Sequence, residues 1–152
     1  EIRPRDWSSD VCSSDLAGHW GWADASFGYK FTDAAKNPAD ALANTYLIED
    51  ALQKAGLARA RTTDANSNLY MAKANQLFNV ENEIGRIKAK ILFVPASSDL
   101  ICPPDFSYKA ADKFRSMGGK AEVFVIEGNR GHLDGVVGIQ KAAQAIRDFM
   151  GR

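Results

Sequence analysis

The sequence predicts an α/β fold built on a parallel sheet. Two short apolar runs carry this prediction, KILFVPA at residues 90–96 and AEVFVIE at residues 121–127. Continuous apolar runs of this length are typical of strands that are buried on both faces. A helical pattern follows each run, which gives a βαβ unit with a right-handed crossover and one more helix. Because two strands do not make a sheet that is stable alone, we expect this sheet to be incomplete.

The helices around these strands have local start and stop signals. Pro103-Pro104 precedes a helix that is predicted to extend to about Met117, where two glycines end it. A last helix is predicted from about Gly135 to Met150, because apolar residues recur along one face. Residues 87–152 therefore form the predicted βαβα core.

The preceding residues 17–86 are predicted to hold an irregular segment and two helices. Residues 17–31 are aromatic and glycine-rich without a clear period. Asn37-Pro38 indicates the start of a helix that Gly56 ends, since Asn is a common N-cap and Pro suits the first helical position. A second helix is expected to begin near Asp64.

Composition narrows the class of protein. The chain has 152 residues, of which 45% are hydrophobic, with 19 basic and 19 acidic side chains. This is ordinary for a globular domain and excludes low-complexity disorder and a disulfide scaffold. The balanced charge argues against a nucleic-acid partner. The chain also lacks a run of about 18 apolar residues, which a membrane-spanning helix would need. We therefore do not expect a nucleic-acid or membrane partner.

The first sixteen residues stand apart from the rest. They have no helical or strand period, and residues 6–16, DWSSDVCSSDL, are similar to the translation of a common sequencing-adapter DNA. We therefore exclude residues 1–16 from the fold as an artefactual or disordered tail, and expect the natural protein to extend upstream. Cys12 belongs to this tail, so Cys102 is the one cysteine of the remaining sequence. A single thiol cannot form an internal disulfide, which is consistent with a reducing cytoplasm.

One acid and one histidine carry the predicted chemistry. Asp99 follows the first predicted strand and His132 follows the second. The carboxyl ends of parallel strands meet at the edge of the sheet where ligands bind, so these side chains can meet. A carboxylate that is bonded to one imidazole nitrogen leaves the other nitrogen free as a base. The pair supplies two members of an acyl-transfer triad.

Two motifs and one helical stretch resemble a known family. SSDLICPP at residues 97–104 and GNRGHLDGV at residues 128–136 resemble the end of the homoserine O-acetyltransferase family, within the α/β-hydrolase superfamily. DANSNLYMAKANQLF at residues 64–78 resembles the stretch that ends the helical lid of that family. The resemblance implies the C-terminal part of an α/β-hydrolase fold, with its last two parallel strands and flanking helices, preceded by helical lid segments.

The same resemblance implies an activity. The family order along the chain is Ser, Asp, His, which makes Asp99 the triad acid and His132 the base. It implies transfer of an acetyl group to homoserine or a similar hydroxyl, as in methionine biosynthesis. The implied substrates are then small molecules, with acetyl-CoA as the donor substrate rather than a bound cofactor, and no metal is implied. Lids of this family can also form homodimer contacts.

Two departures from the family leave alternatives open. No Gly-x-Ser-x-Gly turn is found: Ser26 has Asp24 in place of the first glycine, and Ser116 lies at a predicted helix end between the acid and the base. We therefore expect the nucleophile to lie outside this chain, which would leave the chain alone inactive. Leu133 follows His132 where the family usually has an Asp that contacts homoserine. An esterase that uses water as acceptor is the alternative.

Three further residues have competing interpretations. Asp134 is a candidate substrate contact, although an N-cap of the last helix is favoured. Cys102 is expected to be a buried small side chain beside the site rather than a nucleophile. His19 is expected to lie at the surface or to pack. A nucleotide-binding function has little support, because no glycine-rich phosphate turn follows either strand.

Overall fold

A computed structural model of the chain describes residues 18–151, which divide into two compact units at Gln76 and Leu77. The division falls ten residues before the boundary that the sequence suggests. The tail predicted at residues 1–16 lies outside the described residues. Within residues 18–151, no helix has both the length and the apolar character needed to cross a bilayer.

The first unit begins with a helix that the sequence analysis missed. Helix α1 covers Trp20–Ser26, inside the segment predicted to be irregular. His19 caps it, because its Nδ1 accepts the backbone N–H of Gly21 at 3.0 Å. The imidazole also stacks at 3.8 Å on the ring of Trp20, which agrees with a packing role. Histidine is not among the usual capping residues, so the local pattern did not reveal this start.

Helix α2 covers Leu47–Ala60, so both predicted ends are wrong. Asn37 forms a local turn instead, in which its side chain accepts the N–H of Ala39 at 2.9 Å. The helix begins ten residues later, where the Glu49 carboxylate accepts the Tyr46 N–H at 2.7 Å. Gly56 does not end the helix but is its buried residue, since the absence of a Cβ permits close packing there.

Helix α3, Ala65–Leu77, confirms the second predicted start. The Asp64 carboxylate accepts the N–H of Ser67 at 2.8 Å, as an N-cap does. Leu69 and Tyr70 of this helix are largely exposed.

The second unit contains the predicted parallel sheet. Strand β1 is Ile91–Phe93 and strand β2 is Ala121–Val123, paired with Ile91 opposite Ala121. An isolated parallel bridge between Ala96 and Ile126 continues the pairing toward the carboxyl ends. The regular strands are shorter than the apolar runs, but their positions, direction and pairing follow the sequence.

The crossover helix α4 covers Pro104–Ser116 and packs against this sheet. Its buried face brings Ala111 and Phe114 against Ala121, with Ile91 at the edge of the cluster. Gly118 ends the helix region with φ of 86°, a conformation that glycine adopts without strain.

The final predicted helix is interrupted. A 3₁₀ turn at Gly131–Leu133 leads into helix α5, Asp134–Val137, and a second 3₁₀ turn at Ile139–Ala142 precedes helix α6, Ala143–Met150. The break falls at Gly138, whose N–H bonds to the Asp134 carbonyl at 3.0 Å. A 3₁₀ turn at Glu81–Arg86 precedes β1 at the other end of the unit.

Candidate functional site

The predicted acid and base meet at the carboxyl edge of the sheet. Asp99 lies in the turn after β1, and His132 lies in the 3₁₀ turn after β2. The Nδ1 atom of His132 is 2.8 Å from Oδ2 of Asp99. A hydrogen bond of this length between imidazole and carboxylate orients the ring and sets which nitrogen carries the proton.

Two serines join the turns that carry this pair. The Ser97 hydroxyl accepts the N–H of Gly128 at 3.1 Å, and the Ser98 hydroxyl accepts the N–H of Gly131 at 2.9 Å. Gly131 has φ of 67°, so the backbone turns there with little strain before His132. The role of these serines was not predicted from the sequence. The adjacent hydroxyls before Asp99 were the available signal, since such side chains often bond to loop backbone.

The Asp99 carboxylate is enclosed by donors. Only 7% of the residue is exposed, and Oδ1 accepts the N–H groups of Ile101 and Cys102 at 2.8 Å each. Burial raises the pKa of this carboxyl, but the Cys102 N–H, the His132 ring and the Ile101 N–H together outweigh it and hold the pKa below its usual range. Asp99 is therefore a fixed anion at neutral pH.

His132 lines an open cavity beside this pair. Its side chain is 43% exposed, and the cavity of about 290 Å³ is lined by Pro95, Cys102 and Val136 as well as by the pair. Because Nδ1 faces Asp99, Nε2 remains to accept or donate a proton. The arrangement can therefore act as a general base beside a partly apolar cavity.

Cys102 is exposed, which corrects the expectation of a buried side chain. The turn that bonds its N–H to Asp99 leaves the side chain at the cavity wall rather than in the core. Among the described residues, Cys102, Asp99 and His132 are the set whose ligand atoms lie close enough to hold a metal ion, within 4.8 Å of one another. Both carboxylate oxygens already have partners, so the geometry suits a hydrogen-bonded acid–base pair better than a metal centre.

Asp134 occupies a different place from either prediction. It is 1% exposed, does not line the cavity, and is therefore shielded from a substrate there. It also does not cap the helix in the usual way, because its Oδ2 accepts the N–H of Arg130, four residues before it. The carboxylate faces the loop that carries His132.

The candidate serine of the second unit, Ser116, does not join the pair. Ser116 ends α4, where its hydroxyl donates to the Lys113 carbonyl at 2.7 Å, as expected for a helix terminus. This terminus leads into the start of β2, whereas the pair follows the strand ends. Ser26 ends α1 in the first unit.

Comparison with known proteins establishes the fold class. The chain superposes on the crystal structure of esterase E22 with a TM-score of 0.77 and 32% identity, over 91% of this chain and 40% of that one. It superposes on a homoserine O-acetyltransferase from Bacillus anthracis with the same TM-score and 23% identity, over 94% of this chain and 40% of that one. The chain therefore has the C-terminal part of an α/β-hydrolase fold, as predicted.

Sequence comparison identifies the relatives. Homoserine O-acetyltransferase of Geobacter sulfurreducens is 33% identical over 96 residues, which are 59% of this chain and 26% of that enzyme. The enzyme of the same name from Pelobacter propionicus is 30% identical over 71% of this chain and 30% of its own length. No protein-family model matches. The chain is thus related to the homoserine O-acetyltransferases, and it spans about a quarter to a third of the length of these curated relatives.

Proposed function

We propose that this chain supplies the acid–base pair of a serine-dependent acyltransferase of the homoserine O-acetyltransferase type. The observation that carries the proposal is the 2.8 Å contact between His132 Nδ1 and a buried, ionised Asp99 at the carboxyl edge of the sheet. Relatives with the names of acetyltransferases and of an esterase support an acyl-group chemistry. The nucleophilic serine belongs to a part of the parent enzyme outside this chain.

In the proposed reaction, the serine hydroxyl attacks the carbonyl carbon of an acyl-CoA thioester. His132 accepts the hydroxyl proton at Nε2 and passes it to the departing CoA thiolate, which leaves an acyl-serine ester. The acceptor hydroxyl then attacks that ester while His132 takes its proton and returns it to the serine. Asp99 stabilises the imidazolium that forms in both steps.

An ester hydrolase is the second candidate, and Leu133 favours it. The resemblance implies an Asp after the triad histidine in homoserine acetyltransferases, whereas this chain has a partly exposed leucine. An apolar side chain cannot accept hydrogen bonds from a homoserine ammonium or hydroxyl group. Water then becomes the acceptor in the second step.

The decisive test uses the parent enzyme, obtained by recovering the gene upstream of codon 17 with an independent sequencing library. We expect acyl-group release from acetyl-CoA to fall by roughly 10³-fold or more in His132→Ala and Asp99→Asn, as in other triads. His19→Ala is the matched control, because it removes the other histidine of this chain and should keep full activity. Retention of activity in His132→Ala would disprove the proposed role.

The acceptor is tested with Leu133→Asp in the same enzyme. The readout is the ratio of O-acetylhomoserine to free acetate when homoserine and acetyl-CoA are supplied together. A wild-type enzyme that forms the homoserine ester supports the transferase. Release of acetate by the wild type, with a shift toward the ester in Leu133→Asp, would favour the esterase candidate instead.

The 152-residue chain alone provides a further test, because we expect it to show no serine-dependent turnover. The assay is burst release from an activated acyl ester, with a serine-directed phosphonate to trap a nucleophile. A phosphonylated serine and turnover that the phosphonate abolishes would contradict the proposal that the nucleophile lies elsewhere.

A further inference from the structure

Asp134 combines deep burial with incomplete hydrogen bonding. Its Oδ2 accepts the N–H of Arg130 at 2.8 Å, whereas its buried Oδ1 accepts no hydrogen bond from any described residue. A buried carboxylate normally satisfies its oxygens, since leaving one without a partner costs free energy. The catalytic steps proposed above do not use this group, so its retention in the interior requires another reason.

Two glycines make room for the carboxylate. A Cβ on Gly128 would lie 2.0 Å from Oδ2 of Asp134, and a Cβ on Gly138 would lie 3.0 Å from Oδ1 and 2.6 Å from the Asp134 carbonyl oxygen. Real Cβ atoms do not approach so closely, so both backbone segments pack directly on Asp134. A larger residue at Gly128 would displace the carboxylate, and a larger residue at Gly138 would clash first with the Asp134 backbone carbonyl.

Two cations compensate the buried charge from the surface side. Arg130 Nε lies 3.8 Å and Lys141 Nζ lies 3.9 Å from Oδ1, and both side chains remain about half exposed. Lys141 also donates to the Glu127 carbonyl at 2.6 Å, which attaches the 3₁₀ turn after Gly138 to the residue that precedes the loop with His132. The charge of Asp134 is thus balanced at a distance, while its one hydrogen bond goes to the loop backbone.

We propose that Asp134 is a positioning residue that holds the loop at residues 128–132 so that the His132 ring meets Asp99. The inference rests on the Asp99–His132 pair of the proposed function, but it requires neither a nucleophile nor a substrate. Ser97 and Ser98 hold this loop from the side of the acid, and Asp134 holds it from α5. The loop is therefore fixed between two anchors, and His132 enters the site as a consequence.

The test measures the pair directly, by proton NMR of the 152-residue chain at neutral pH. A histidine Nδ1–H that donates to a carboxylate gives a low-field resonance, and His19→Gln identifies the signal of the other histidine. We expect Asp134→Ala to lose or broaden the His132 signal. Asp134→Asn should retain it, because the amide oxygen still accepts the Arg130 N–H. Asp148→Ala, an exposed acid of α6, is the control and should leave the signal unchanged.

A second measurement needs no substitution. In the unmodified chain we expect the Arg130 amide to be protected from hydrogen exchange, although its side chain lies at the surface. Exchange of this amide at the rate of an unstructured peptide would overturn the proposal, even where Asp134→Ala fails to fold. A folded Asp134→Ala with an unchanged His132 signal would also overturn it. If the His132 signal behaves as expected but the unsubstituted parent enzyme shows no acyl transfer, the proposed function is wrong and the positioning role of Asp134 stands.

Discussion

Replacing Phe114 by Ala should strongly destabilise the second unit. Phe114 is 2% exposed and packs between α4 and the sheet, against Ala111, Ala121 and the partly buried Val123. Truncation of a buried phenylalanine costs about 3–5 kcal/mol. This cost is the sum of the lost transfer free energy of the ring and the free energy of the cavity that the ring leaves behind. We therefore expect Phe114→Ala to lower the free energy of unfolding of the second unit by about 3–5 kcal/mol.

The assay must report on the second unit alone. The second unit contains no tryptophan, so tryptophan fluorescence does not report on this core directly. The suitable assay is a urea titration in which unfolding of the second unit is followed by the NMR resonances of the Val123 methyl groups. Phe106→Ala is the matched control, because this phenylalanine of the same helix is 60% exposed, and its loss should cost below about 1 kcal/mol. Equal effects of the two substitutions would refute the packing argument.

Three further substitutions test separate parts of the structure. The depressed pKa of Asp99 stabilises the fold above the unfolded-state pKa of about 3.9, and this contribution is lost as pH falls through the lower folded value. The urea midpoint of the wild type should therefore fall more steeply below about pH 4 than that of Asp99→Asn, and parallel curves would contradict this. Gly119→Ala would place a Cβ 2.4 Å from the buried ring of Phe114 and should cost about 1–3 kcal/mol, whereas Gly135→Ala, with open space around it, should be near neutral in the same titration. Glu49→Ala removes the carboxylate that accepts the amide before α2 and should lower the stability of the first unit by about 0.5–2 kcal/mol in tryptophan-monitored unfolding; an unchanged midpoint would exclude a capping role.

Local signals predicted the second unit well. Pro104 and Gly118 bound α4 because proline suits the first turn of a helix and glycine suits the residue beyond its end, whatever surrounds them. The two apolar runs predicted neighbouring parallel strands, and strand direction then placed Asp99 and His132 at one edge. The pairing of these two side chains followed from chain order and strand polarity alone.

The first unit was predicted less well because its signals compete. Asn37 before a proline resembles a helix start, yet its side chain bonds to a backbone amide two residues later and forms a turn. The same residue type favours both outcomes, and the 3.6-residue period does not decide between them. The α2 start depends instead on a tyrosine whose amide is capped by Glu49.

The parallel βαβ order and the proximity of Asp99 to His132 could be predicted from the residues alone, since both follow from local patterning and strand direction. The exposure of Cys102, the break at Gly138 and the burial of Asp134 became known only from the folded chain. Each of these depends on which backbone segments approach one another. The buried position of Asp134 requires close approach of Gly128 and Gly138, and these two glycines contact it only after the chain has folded. Burial and close approach are properties of packing, and no local pattern of residue types encodes them.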